Sequence, residues 1–139
     1  MKKLLIAIIL ATATLAGHAV AENNSVICLA KNIYHEARGE PLAGKLAVAK
    51  VTINRVESRQ FADTICGVVY ERGQFSWTAN RSLKVRDRDA WEESLNIARD
   101  AVHNGLDEIK LSALYFHSAA IKPKPAKKRI TKIGKHVFY

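Results

Sequence analysis

The sequence predicts a mainly α-helical α+β fold, one domain with a small β element, and three observations carry that expectation. Apolar residues recur at helical spacing in three separate stretches. Helix-ending glycines and a proline fall between those stretches. Two short runs near the C-terminus, "LSALYFH" and "GKHVFY", have the character of strands.

The first residues, "MKKLLIAIILATATLAGHAVAEN", have the form of a secretory leader: a basic start at Lys2 and Lys3, an apolar stretch, and a small-x-small close at Ala19-Val20-Ala21. Residues 1–21 are therefore expected to be removed, and the apolar run is shorter than the roughly 20 residues that a membrane span needs. The expected product, residues 22–139, is secreted or periplasmic, keeps no stable membrane anchor, and is large enough for one core but not two. A monomer is the expected state.

Within that domain, Val26, Ile27, Leu29, Ala30, Ile33 and Tyr34 mark a first helix, with Asn24 or Ser25 placed to cap it and His35 and Glu36 in its last turn. Gly39 offers a left-handed exit, and Pro41 opens the next element. A second helix, from about Leu42 to Val56, carries the small and apolar face Leu46, Ala47, Ala49, Val51 and Ile53 expected of a core helix. Asp63 stands as an N-cap before "TICGVVY", a short helix or turn, and "GQFSWT" reads as a loop or short hairpin. Asp87 or Asp89 caps a further helix, from about Ala90 to His103, which places Trp91, Leu95, Ala98 and Val102 on one face and exits at Gly105.

Two cysteines in a chain bound for an oxidising compartment are expected to pair, Cys28 with Cys66. The formal charge is +9, falling to +7 without the leader. Lys122, Lys124, Lys127, Lys128, Arg129, Lys132 and Lys135, with no acid among them, account for all of the remainder. Such a segment is either a solvated surface or an attractor of polyanions, and export points to anionic cell-wall polymers, with no nucleic acid partner.

"HEARGE" begins like a zinc-protease helix but has Gly39 where the second histidine belongs, so no metal or other cofactor is expected. Neither Ser76 nor Ser118 lies in a nucleophile elbow. What remains is acid chemistry. A carboxyl at the end of an apolar helix, as Glu36 is, loses solvation and holds its proton toward neutral pH, as protonation of a glycosidic oxygen requires. Glu40 is either a second carboxylate one turn away or a structural group near the start of the next helix. Trp77, Tyr115 and Phe116 offer flat faces for sugar rings, and Asn54, Gln74, Ser76 and His117 offer hydrogen bonds.

Taken in order and spacing, "IYHEARGEPLAGKLAVAKVTINRV", "FADTICGVVY", "GQFSWT", "YFHS" and "KIGKHVFY" resemble the spore-cortex-lytic type of cell-wall hydrolase over nearly all of residues 22–139, with Phe116 where the family has the second tyrosine of its "YYHA" motif. The resemblance implies a fold related to lysozyme and lytic transglycosylases, peptidoglycan as substrate, and Glu36 as the catalytic acid/base. It also implies that Arg38, Gly39 and Glu40 shape the turn behind Glu36 and that Asn54, Gln74, Ser76, Tyr115 and His117 line a glycan groove; together with Trp77, the expected substrate-binding residues are Arg38, Glu40, Asn54, Gln74, Ser76, Tyr115 and His117. Three readings stay open at this level: a lytic transglycosylase, a lysozyme-like muramidase acting on the same bond, and a non-enzymatic basic wall-binding module.

Overall fold

A computed structural model describes residues 2–80, 84–121 and 128–139, with side chains from residue 17 onward. Lys122, Lys124 and Lys127 of the basic segment lie outside the described residues. Helix α1 spans Lys2–Ala37, α2 Leu42–Glu57, α3 Ile65–Tyr70 and α4 Arg88–Asn104, with a 3-10 turn at Ser76–Ala79. Strands β1 (Phe116–Ser118), β2 (Thr131–Ile133) and β3 (His136–Phe138) form one antiparallel sheet in the order β1-β3-β2, with Phe116 opposite Phe138 and Lys132 opposite Val137. No described helix is long and apolar enough to cross a membrane.

The second half of α1 is the axis of the domain. Val26, Leu29, Ala30 and Ile33 pack with Ala49 of α2 and with Leu95, Ile97, Ala98 and Ala101 of α4. Helix α2 has a second apolar side, on which Ala47 and Val51 pack against Leu111, Ala113 and the fully buried Phe138 of β3. The run of small residues expected to make α2 a core helix thus lets it lie between α1 and the sheet. The Cys28–Cys66 disulfide joins α1 to α3, across a separation of 38 residues.

Several local expectations are corrected. Asn24 and Ser25 cap nothing: the Ala- and Leu-rich stretch before them continues the helix, and the Ser25 hydroxyl donates back to the Ala21 carbonyl. Gly39 is not left-handed; α1 closes instead through Arg38 N–H to the Tyr34 carbonyl and Glu40 N–H to the Ala37 carbonyl. Thr64, not Asp63, caps α3, its side chain accepting the Gly67 N–H. "GQFSWT" is loop only through Phe75 and then enters the 3-10 turn, because the Thr78 N–H and hydroxyl both donate to the Phe75 carbonyl. Of "LSALYFH" only Phe116 and His117 are strand, β1 running one residue further to Ser118, and β2, within the basic segment, has no counterpart among the expected strands. Of the two candidate caps for α4, Asp87 is the one that accepts the Ala90 N–H.

Candidate functional site

Glu36 projects from the last turn of α1, half-buried, where two recesses meet. One, of about 340 Å³, has Arg38, Gly39 and Glu40 on the helix side and Ser118, Lys135 and His136 on the sheet side. The other, of about 260 Å³, sets Glu36 against Arg55, Gln74, Phe75, Phe116 and His117. The helix end, the 3-10 turn and the sheet therefore converge on one carboxyl.

Burial raises the Glu36 pKa above the ordinary carboxyl range, and the nearby Arg55 guanidinium pulls against that rise. Arg55 is itself almost fully buried in the last turn of α2. Its Nε donates to the Leu114 carbonyl at 2.7 Å, and the rings of Phe61, Phe75 and Tyr115 surround the guanidinium at 4.9–5.6 Å. Its Nη1 is buried without a hydrogen-bond partner among the described residues. A cation held this way favours the ionised form of Glu36 while desolvation favours the neutral one, a balance suited to a group that must both give and take a proton.

Two histidines complete the recesses. His136 is buried on β3, and burial lowers its pKa, with Glu40 opposing that shift and His117 adding to it. His117 has Nδ1 2.7 Å from the Ser118 carbonyl and Nε2 2.8 Å from the Tyr139 hydroxyl. A carbonyl only accepts, so Nδ1 carries the proton and, in the neutral ring, Nε2 accepts from Tyr139.

The other expected residues divide into four groups. Arg38, Glu40, Gln74 and His117 line the recesses that contain Glu36. Glu40, however, is buried, and its Oε2 accepts the Lys135 N–H. Asn54 and Tyr115 stand behind the site: Asn54 Nδ2 donates to the carbonyls of Leu111 and Ala113, and Tyr115 packs against Phe61 and Arg55. Trp77 lies on the far side of His35, stacked on its imidazole at 4.5 Å and lining two grooves of about 590 Å³ each. Ser76 is exposed at the start of the 3-10 turn, between Phe75 and Trp77. The two larger grooves do not contain Glu36; both share His35 with its recess, and one shares Arg38 as well, so the candidate centre is picked out by the half-buried, perturbed carboxyl and not by groove size.

Arg55 is unmarked in the sequence, and His136 stands there only as one of three scattered histidines, with His35 and His117, more often surface or structural than ligands. A signal existed for the arginine, since it falls at helical spacing from Ala47 and Val51 and so places a cation on the core side of α2. Among the described residues, no three His, Cys, Asp or Glu side chains gather as a metal-ligand set.

A family model described as cell wall hydrolase matches residues 39–139, beginning just after Glu36. The chain is 37% identical over 123 residues to a spore cortex-lytic enzyme of Oceanobacillus iheyensis, covering 83% of this chain and 41% of that protein. It is 34% identical over 119 residues to the spore cortex-lytic enzyme of Bacillus subtilis, covering 84% and 37%. The chain thus spans about two fifths of the length of these curated relatives. Among solved structures, the catalytic domain of the Bacillus cereus SleB protein superposes with a TM-score of 0.66 at 32% identity, covering 84% of this chain and 89% of that one. The catalytic domain of the germination-specific lytic transglycosylase SleB from Bacillus anthracis gives the same TM-score and identity, covering 83% and 93%.

Proposed function

The chain belongs to the cell wall hydrolase family, and from that premise we propose that it is an exported enzyme that cuts the glycan strand of peptidoglycan between N-acetylmuramic acid and N-acetylglucosamine. In this reading residues 1–21 are its export leader, and it acts as a lytic transglycosylase with Glu36 as the one acid/base. The observation that carries the reading is the contrast between two carboxyls. Glu36 is half-buried, open to both recesses and shifted toward its neutral form, whereas Glu40, which lines only the larger of the two, is buried and bound to the Lys135 backbone.

Neutral Glu36 donates its proton to the glycosidic oxygen as the bond to C1 of the muramic acid breaks, which releases the N-acetylglucosamine hydroxyl. The C6 hydroxyl of the same muramic acid then closes on C1, and its proton returns to Glu36, leaving a 1,6-anhydro ring and a reset acid. Arg55 steadies the carboxylate between the two transfers. A lysozyme-like route needs a second carboxylate to activate water, and Glu40, the other carboxyl in the recess between the helix end and the sheet, is committed to the Lys135 N–H.

Mass spectrometry of purified peptidoglycan digested by the wild type and by Glu36→Gln tests this reading. Anhydro-muramic ends from the wild type, absent with the variant, are expected. Reducing ends overturn the transglycosylase assignment, and binding without any new ends overturns the enzymatic one.

A further inference from the structure

We propose that the two grooves flanking the His35–Trp77 stack form a binding site for glycan that carries carboxylates, an extension of the wall-glycan reading above and dependent on it. Both grooves include His35, which also lines the Glu36 recess, so a strand bound across Glu36 can continue into them.

The aromatic wall is fixed from inside. The Trp77 indole N–H donates to Oδ1 of the fully buried Asn32, whose Nδ2 donates to Thr52 Oγ1, and Tyr70 meets the Trp77 ring edge-on at 5.8 Å. With its polar handle satisfied in the interior, the half-buried ring has only apolar surface to offer, which suits the flat face of a sugar.

Charge gives the second requirement. Arg38, Lys84 and Arg86 line one groove and Lys31 the other, and none of the four has an ion-pair partner among the described residues. Asp87, the carboxylate in this lining, is held as the cap of α4 by the Ala90 N–H. The cationic wall is also held in place, because the buried Tyr34 hydroxyl accepts the backbone N–H groups of both Arg86 and Asp87, at 3.1 and 3.0 Å. Unpaired cations along a fixed aromatic wall match a sugar polymer bearing carboxylates, and a neutral glycan makes no use of them. In wall glycan those carboxylates belong either to the lactyl group of muramic acid or to the stem peptide attached to it.

The test measures calorimetric binding to three soluble ligands: neutral N-acetylglucosamine oligomers, glycan strands stripped of peptide, and strands with stem peptides. The parent is Glu36→Gln, so that ligands stay intact, and the variant adds Lys84→Gln and Arg86→Gln, both at exposed positions. The variant is expected to bind carboxylate-bearing strands about three- to tenfold more weakly, as two exposed ion pairs allow, and neutral oligomers unchanged. A larger loss on peptide-bearing strands assigns the contact to stem carboxylates; an equal loss on both assigns it to the lactyl group. Unchanged binding of all three ligands, or an equal loss on the neutral one, overturns the proposal while leaving the enzymatic reading intact. A parent that binds none of the three overturns both.

Discussion

Glu40 Oε2 accepts the backbone N–H of Lys135 at 2.7 Å, a bond between groups 95 residues apart that ties the end of α1 to the β2–β3 turn. The same oxygen lies against Gly134, where an added Cβ would fall 1.9 Å away and where φ is +56°. One carboxylate and one glycine therefore decide where Lys135 and His136 stand relative to Glu36.

Gly134→Ala should combine a disfavoured backbone conformation with that clash and lower stability by about 1–3 kcal/mol. Glu40→Ala should cost a similar amount by leaving the Lys135 N–H without its acceptor, and Glu40→Gln, which keeps an acceptor oxygen, should cost less. Urea denaturation orders the three. If Glu40→Gln is as stable as wild type but inactive on peptidoglycan, Glu40 has a chemical role that the clamp does not describe.

Glu36→Gln keeps the shape of the side chain and removes the transferable proton, so turnover should fall at least about a hundredfold in a folded protein. Its stability should also respond to pH in a specific direction. A carboxyl whose pKa is raised on folding binds more protons folded than unfolded, so stability falls as pH rises between the two values. Wild type should therefore lose stability relative to Glu36→Gln as pH rises from about 4 toward 7, and the two should converge in acid. Parallel melting curves across that range would contradict the assigned burial of Glu36.

What the sequence made legible was written in local signals. The three long helices follow from apolar spacing, the α4 cap from one of two candidate aspartates, Asp87, the disulfide from an even cysteine count beside a leader-like N-terminus, and the place of Glu36 from a helix stopped just before Pro41. The site's remaining members depend on contacts between distant segments. Arg55 is steered by the Leu114 carbonyl, Trp77 by Asn32, and Glu40 by Lys135, and no short stretch announces those partners. Strand β2 is only three residues long and lies in a segment dominated by Lys127, Lys128, Arg129, Lys132 and Lys135, so the two isoleucines there give no clear strand signal, and its pairing with β3 overrides that composition.

The Cys28–Cys66 bond holds α3 against the helix that presents Glu36. Closing a loop of 38 residues is worth roughly 3–4 kcal/mol in the chain-entropy model. Replacing both cysteines with serine should lower the stability measured in urea by about that amount. Residual activity should fall less than for Glu36→Gln, because the bond lies in the scaffold. A variant as stable as wild type would show that the bond does not form in the protein.

The described part of the basic segment divides by position. Lys135 lines the Glu36 recess, whereas Lys128, Arg129 and Lys132 are exposed, and none of these three lines either recess that contains Glu36. Exposed charges attract an anionic wall through a field screened over about 10 Å at 0.1 M salt. Changing Lys128, Arg129 and Lys132 to glutamine should therefore weaken sedimentation with intact walls at low salt and remove most of its salt dependence. Cleavage of short soluble glycan fragments should stay near the wild-type rate, since those fragments reach the groove without help from a long-range field. Lys132 sits opposite Val137 in the sheet, so a melting curve must accompany the assay. If the folded variant loses short-fragment cleavage as well, the segment belongs to the groove, and the separation between wall attraction by the outer cations and chemistry at Glu36 is wrong.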